Sequence, residues 1–297
     1  MLKNLDFKLF LAMAGVAIIW GTTYLGISLA VETIPGWYVT SIRQFLAAFI
    51  LMFYLIYKNQ LKWVSWKYFN RQLLLALFMV VVANGFTTLA EKTVPSGLAA
   101  LVNSLSPILV FVASAALGYQ KPTIKSFGGV LLGFLGVVFL FRDGVSGLFV
   151  PEYRTGVLLL GGAITGWTIG TIYTKRTNNQ SQGIFLDLFY QFFIAGVVQL
   201  VLALNTGNSN FEMWSLISIS ATLYLAVFGS IVGFFCYNYA LKRVSASEVS
   251  ILTYFNTVIA LFLGWLVLDE VITIDVMIAT FLIIVGVFIT NYQKSKN

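Results

Sequence analysis

The residues that could do chemistry in this chain are polar and aromatic side chains set inside long apolar runs. Polar groups at such positions usually face a bundle interior or a water-filled cavity rather than lipid. We therefore expect them to line a cavity that binds a small molecule. The candidates are Trp20, Tyr24, Arg43, Gln44, Asn84, Thr88, Asn103, Pro107, Trp167, Gln191, Tyr254 and Thr257.

Two of these candidates, Trp20 and Trp167, fall near the middle of apolar runs, whereas a Trp that anchors a helix at the membrane surface lies near its ends. They could form an aromatic wall, with Tyr24 one turn from Trp20, or they could simply pack. Gln44 and Gln191 are amides that could bind a zwitterionic ligand. They could instead tie helices together, a link worth only about 0.6–2 kcal/mol.

Arg43 is a charged residue inside an apolar run, and its guanidinium could hold a substrate carboxylate. Its alternative is to reach outward to the membrane surface, since it lies about 9 Å below the start of its helix at 1.5 Å per residue.

Asn84 and Thr88 share a helix face, as do Tyr254 and Thr257. These faces are candidates for the same cavity.

Pro107 removes a backbone donor and frees a carbonyl group one turn earlier. In a bilayer a freed carbonyl is tolerated beside a cavity or beside a helping side chain, and Asn103 lies at that position. The pair predicts a kink that lines the cavity.

Coupling to a proton would need a titrating carboxylate, and Glu91 is the candidate, with a local ion pair to Lys92 as the alternative. The chain has no GxxxxGK[ST], HExxH or CxxC motif, no His and a single Cys. We therefore predict no enzyme, no cofactor, no metal site and no nucleic-acid partner.

The composition predicts a membrane protein. The chain is 59% hydrophobic and 10% charged, whereas a soluble domain carries roughly 25% charged residues. Its charges separate apolar runs of about 18–24 residues, which is the length that crosses roughly 30 Å of hydrocarbon. We predict an all-α integral membrane protein with ten transmembrane helices. The predicted spans are 9–30, 37–57, 72–91, 97–118, 124–141, 156–174, 184–204, 215–241, 247–268 and 273–291.

The basic residues set the orientation. With the N-terminus inside, the inner loops hold most of the 18 Lys and Arg, and only Lys92, Arg142 and Arg154 fall in outer loops. We expect both termini to be cytoplasmic, in the inner membrane of a cell. The expected partners are membrane lipid and a small-molecule substrate, and the expected assembly is a monomer or a homodimer.

The sequence pattern occurs twice. Ala90 and Ala240 are identical at an offset of 150 positions, and Trp20 and Trp167 are identical at an offset of 147. Five spans in each half is an odd number, so the second half enters the membrane from the opposite side. Such inverted repeats are typical of secondary transporters, which bind substrate near the midplane between the halves. The two predicted five-helix halves are 1–147 and 148–297.

Three features of the sequence resemble the EamA-type carriers of the drug/metabolite transporter superfamily. They are the duplicated Trp positions, the run Ala-Leu-Lys-Arg-Val-Ser-Ala-Ser at 240–247 and the ending Leu-Asp-Glu-Val-Ile-Thr at 268–273. The resemblance extends over essentially the whole chain. It implies a ten-helix inner-membrane carrier that exports amino acids or related metabolites without nucleotide hydrolysis. The Glu of the family's ending is present as Glu270, but Gln120 replaces it in the first half.

Other functions stay open at this point. A carrier of nucleotide sugars or of drugs, or an uptake carrier, is the nearest alternative. The resemblance counts against cationic drugs, because small multidrug carriers rely on a buried Glu in the first helix, which here has no acid before Glu32. A membrane enzyme for lipid-linked substrates would need paired carboxylates or His, and a structural bundle would need no duplicated Trp and Gln.

Overall fold

The computed structural model describes residues 7–119, 123–140, 151–206, 210–250 and 252–291. These residues form helices and connecting turns, with no strand among them. The helices are α1 (Phe7–Val31), α2 (Gly36–Tyr57), α3 (Trp66–Ala90), α4 (Ser96–Asn103 and Ser106–Ala116), α5 (Ile124–Leu140), α6 (Pro151–Arg176), α7 (Ile184–Asn205), α8 (Leu216–Leu241), α9 (Ala246–Ser250 and Leu252–Leu268) and α10 (Ile274–Asn291).

Eight of these helices are long and apolar enough to cross a membrane, namely α1 to α4 and α6 to α9. Helix α5 has 17 residues, and the apolar part described for α10 covers Ile274–Gly286. The all-helical prediction is therefore confirmed in the described residues, with eight candidate spans. The number of ten spans and the inverted arrangement of the halves stay predictions.

The helices pair mostly between the first and second half of the sequence. Helix α1 packs against α9, α2 against α7, α3 against α6, and α5 against α10. The buried core therefore lies between elements that are far apart in the chain. A cavity at the centre of this bundle receives side chains from both halves.

Three helices depart from regular α-helical geometry near the bundle centre. Helix α3 is π-helical over Ala76–Gly85, and α8 is π-helical over Leu225–Val232. Helix α4 is interrupted by a turn at Ser104 and Leu105. Wider helical turns shift backbone carbonyl groups out of the regular ladder, and such segments are frequent at functional sites.

The free backbone N–H groups in the first turns of these helices donate to side chains that are either local or distant in the sequence. Ser65 and Ser215 accept hydrogen bonds from the first turns of α3 and α8. The first turn of α4 depends instead on Glu270, whose two carboxylate oxygens accept the backbone N–H groups of Ser96 at 2.6 Å and Gly97 at 2.9 Å. A carboxylate stabilises the positive end of a helix, so Glu270 joins the α9–α10 connection to α4.

Candidate functional site

A cavity of about 100 Å³ lies at the centre of the bundle, enclosed by α1, α2, α3, α4, α6 and α9. Six of the sequence candidates line it, and eight further residues complete the wall. The six are Trp20, Tyr24, Arg43, Asn84, Asn103 and Trp167, and the others are Thr23, Ile27, Ala83, Thr87, Ser106, Ala163, Thr253 and Asn256.

Arg43 is buried in the cavity wall, with only 2% of its surface exposed. Its Nε donates a hydrogen bond to Ser230 Oγ at 2.8 Å, and its Nη1 donates to Asn84 Oδ1 at 2.7 Å. Within the described part of the chain, no carboxylate oxygen lies within 4.0 Å of it. The hydrogen-bond partners of the guanidinium are thus neutral and it forms no direct ion pair with a described residue, which suits it to an anionic group of a ligand.

The guanidinium fits because Gly229 leaves room for it. A Cβ atom at Gly229 would lie 3.0 Å from Arg43 Nη2 and 2.9 Å from Thr23 Cγ2. Gly229 and Ser230 both belong to the π-helical segment of α8. This segment therefore supplies both the space and one of the hydrogen-bond acceptors that position Arg43.

Trp20 and Trp167 meet in an aromatic cluster beneath the cavity. Their ring centroids lie 5.1 Å apart with an interplanar angle of 82°, an edge-to-face arrangement that aromatic pairs prefer. Phe234 and Tyr237 pack on both tryptophans at 4.9–6.0 Å. The indole N–H of Trp20 donates to Gly229 O at 3.1 Å. We call Trp20, Trp167, Phe234 and Tyr237 the aromatic layer.

Replacing Gly233 with Ala should destabilise the protein by about 1–3 kcal/mol through overpacking, because the new Cβ atom would lie 2.3 Å from Trp20 Nε1. The matched control is Gly161→Ala in α6, where a Cβ atom meets nothing within 4 Å. That control should stabilise by about 0.4–1 kcal/mol, since Ala restricts the unfolded chain. Thermal unfolding of both variants checks the opposite signs, and a common sign would contradict the packing described here.

The break in α4 provides polar groups beside Pro107. Pro107 is buried at the start of the second segment, directly after the turn at Ser104 and Leu105. The carbonyl group one turn before it, that of Asn103, accepts a hydrogen bond from Ser106 Oγ at 2.7 Å. Pro107 itself does not line the cavity, whereas Asn103 and Ser106 do.

Gln44 and Thr88 lie behind the lining residues. Gln44 is fully buried and accepts a hydrogen bond from Ser230 Oγ at 3.4 Å. Its Nε2 has no hydrogen-bond partner in the described part of the chain. Thr88 donates to the backbone carbonyl of Asn84 at 2.9 Å. Both residues therefore contact the two partners of Arg43, not the cavity itself.

On α9, the structure brings different residues to the cavity from those that the sequence suggests. Thr253 and Asn256 line the cavity. Thr257 instead donates to Ala100 O on α4 at 3.1 Å, and the buried Tyr254 hydroxyl has no hydrogen-bond partner among the residues that the structure describes. Thr257 thus joins two helices.

Gln191 belongs to a second polar cluster, at the opposite end of α3 from Glu91. Its Nε2 donates to Gln72 Oε1 at 2.8 Å, and Gln72 donates to Asp187 Oδ1 at 3.2 Å. Asp187 also forms an ion pair with Arg71 at 3.1 Å and accepts from the Tyr68 hydroxyl at 2.5 Å. We call these five residues the α3–α7 network.

Further contacts close the same end of the bundle. Arg71 Nε donates to Thr177 Oγ1 at 2.9 Å, which ties the α3–α7 network to the end of α6. Lys175 Nζ donates to the carbonyl groups of Leu241 and Val244 at 2.8 and 2.7 Å, which ties α6 to the end of α8. Part of this cluster is indicated by the sequence itself, because Asp187 and Gln191 are four residues apart and lie on one face of α7.

The comparisons with known proteins agree with this architecture. The model of the EamA-like transporter family matches residues 7–142 and 154–292. YedA of Escherichia coli (strain K12), described as an uncharacterized inner membrane transporter, is 30% identical over 86% of this chain and 81% of its own length. The transporter YoaV of Bacillus subtilis (strain 168) is 24% identical over 97% and 98%.

A chain of known crystal structure shares the fold, with a TM-score of 0.72, 18% sequence identity and coverage of 95% and 96%. The family match over residues 7–142 and 154–292 confirms the resemblance that the duplicated Trp positions and the 240–247 and 268–273 segments indicate. The chain is a multi-pass membrane transporter and belongs to the EamA-like transporter family.

Proposed function

We propose that this chain is a secondary carrier that exports small carboxylate-bearing metabolites, amino acids in particular, across the inner membrane. The observation that supports the proposal is Arg43, a buried cation in the wall of a central cavity whose described hydrogen-bond partners are both neutral. A substrate carboxylate would supply the missing negative charge and could take a two-point contact from the guanidinium. Asn84, Asn103 and Ser106 add neutral hydrogen-bonding groups for the rest of the substrate.

The size of the cavity favours metabolites over drugs or nucleotide sugars. A drug-sized ligand occupies a pocket of roughly 300–1,000 Å³, whereas this cavity measures about 100 Å³. Trp20 and Trp167 of the aromatic layer form part of its wall. A compact amino acid therefore fits this shape better than the larger alternatives.

We further propose that transport proceeds by alternating access between two inverted five-helix halves. The occurrence of π-helical segments in α3 and α8 supports this, because the sequence repeat makes these two helices equivalent. With both termini in the cytoplasm, the aromatic layer and the α3–α7 network would lie on the cytoplasmic side of the cavity. The structure would then represent a state that is closed toward the cytoplasm.

The test is whole-cell efflux. Cells that express the protein are fed a panel of dipeptides, so that single amino acids accumulate inside, and their external release is timed against cells with an empty vector. We expect faster release of at least one small amino acid. If the protein is well expressed and no amino acid leaves faster, the proposed substrate class is wrong.

A further inference from the structure

Glu91 is a buried carboxylate one helical turn beyond the cavity lining, and the proposed binding site has no use for it. It directly follows α3, four residues after the lining residue Thr87, and only 6% of its surface is exposed. Its Oε2 accepts a hydrogen bond from Ser28 Oγ at 3.1 Å, and its Oε1 is buried without a hydrogen-bond partner among the described residues. The expected ion pair with Lys92 is not among the salt bridges of the described residues.

This arrangement is unfavourable for an ionised carboxylate. Burial of a charge is costly unless the charge is paired and its hydrogen-bonding capacity is satisfied. Glu91 has one hydrogen bond and no ion pair in the described part of the chain. A carboxyl group that binds a proton loses the charge, and buried carboxylates in membrane proteins commonly mark proton pathways.

The groups that face Glu91 come from three neighbouring elements. They are Tyr24 and Ser28 on α1, Arg43 on α2, and Glu270 in the α9–α10 connection. Arg43 is the cation of this set and Glu270 is the other carboxylate. Arg43 contacts Asn84, which lies seven residues before Glu91 in the chain. A charge at Arg43 acts on Glu91 because buried charges are weakly screened.

We propose that Glu91 is a proton-binding site linked to Arg43, so that a substrate carboxylate and a proton are carried together. The proposal rests on the function proposed above for Arg43. When a substrate carboxylate neutralises Arg43, ionised Glu91 loses the attraction of that cation and keeps the repulsion of Glu270. Glu91 then takes a proton from the solvent on the open side and returns it on the other side after the substrate leaves.

The linkage fixes the direction of the energetic coupling. Because linkage is reciprocal, a proton on Glu91 also tightens substrate binding at Arg43. Substrate and proton therefore move in the same direction, and export proceeds while the outward substrate gradient exceeds the inward proton gradient. A proton gradient directed into the cell opposes this export.

The first test is infrared difference spectroscopy of the full chain in lipid. The chain has only 11 Asp and Glu residues, so the C=O stretch of a buried protonated carboxyl group can be assigned. We expect a band that is lost in Glu91→Gln and kept in Glu212→Gln, which alters an exposed carboxylate. In Arg43→Gln at the same pH the band should grow, because that variant mimics a neutralised Arg43. A band that survives in Glu91→Gln, or is unchanged in Arg43→Gln, overturns the proposal.

The ion is identified by exchanging sodium for potassium in the same samples. A band that does not respond supports a proton, whereas loss of the band in sodium would show a sodium site and overturn the proton assignment. These measurements need no transport. If the Glu91 band behaves as expected but no amino acid is exported, the proposed function fails and the proton site stands.

The second test uses an amino acid that the efflux panel identifies. An uncoupler should accelerate its release from wild-type cells, because it removes the opposing proton gradient, and should leave the release unchanged in Glu91→Gln. For purified protein we expect binding to be at least about fivefold tighter at pH 5.5 than at pH 8, the lower end of the usual coupling range, and independent of pH in Glu91→Gln. Release that an uncoupler slows in wild-type cells would overturn the proposal.

Discussion

Replacing Asp187 with Asn should lower the free energy of unfolding by about 3–5 kcal/mol, because it leaves the buried Arg71 without its anionic partner. Arg71 and Asp187 are 2% and 10% exposed in their side chains, and their charged atoms lie 3.1 Å apart. Tyr68 and Gln72 also donate hydrogen bonds to the carboxylate. Asn would offer them one neutral oxygen in place of a charged group.

The comparison that isolates the unpaired charge is the double variant Arg71→Met with Asp187→Leu. Neutral replacement of a buried ion pair is often without effect or stabilising, so we expect the double variant to be more stable than Asp187→Asn alone. Glu212→Gln, at an exposed position, controls for the loss of a surface carboxylate, which is worth about 0–1 kcal/mol. Unfolding in increasing SDS, followed by circular dichroism, measures all three. Asp187→Asn with the stability of the wild type would contradict the structural role of the pair.

Under the proposed mechanism, this pair matters for transport as well as for folding. The α3–α7 network joins two helices of different halves of the sequence. If this end of the bundle faces the cytoplasm and transport proceeds by the proposed alternating access, the network separates when the cavity opens to that side. Ion pairs in a hydrated opening lose little free energy on separation, because water replaces the lost hydrogen bonds. The contacts of the network can therefore be stable in the closed state and still separate when that end of the bundle opens.

Local sequence patterns predict the helical segments and some of the residues that line the candidate cavity. Apolar runs separated by charges predicted the helical segments, because a membrane requires that backbone groups be satisfied within a helix. Three residues are conspicuous in the sequence, namely Trp20 and Trp167 in the middle of apolar runs and the charged Arg43 within another. The structure places all three in the wall of one cavity. Pro107 likewise indicates a break in α4, because proline has no backbone N–H group to donate within the helix.

The remaining features depend on contacts that no local pattern contains. Gln191 was a cavity candidate, but its partner Gln72 lies on α3, 119 positions away. Glu270 binds the start of α4 from 174 positions away. The π-helical segments have no sequence marker either, since Ala76–Gly85 is simply apolar. Long-range packing decides each of these outcomes.

The variant Arg43→Gln should separate transport from stability. Loss of a buried, charge-assisted contact to a substrate typically costs about 2–5 kcal/mol, so we expect transport to fall by roughly 30-fold or more, at about 1.4 kcal/mol per tenfold. Arg43→Lys should lie in between, because Lys keeps the charge but cannot make a two-point contact. Initial release rates of the amino acid identified by the efflux panel, at matched expression, give these values.

We also expect Arg43→Gln to leave the free energy of unfolding equal to or higher than that of the wild type. This direction distinguishes a binding residue from a structural one. A residue kept for structure destabilises the fold when it is replaced, as expected for Asp187. Arg43 has no anionic partner among the described residues, so its removal relieves a buried charge while Gln can still bond Ser230 or Asn84. The matched control for both transport and stability is Arg243→Gln. Arg243 is exposed, and its guanidinium lies over the ring of Tyr239. A stable Arg43→Gln protein with wild-type transport would exclude Arg43 from the binding site, and an unstable one would make it a structural residue.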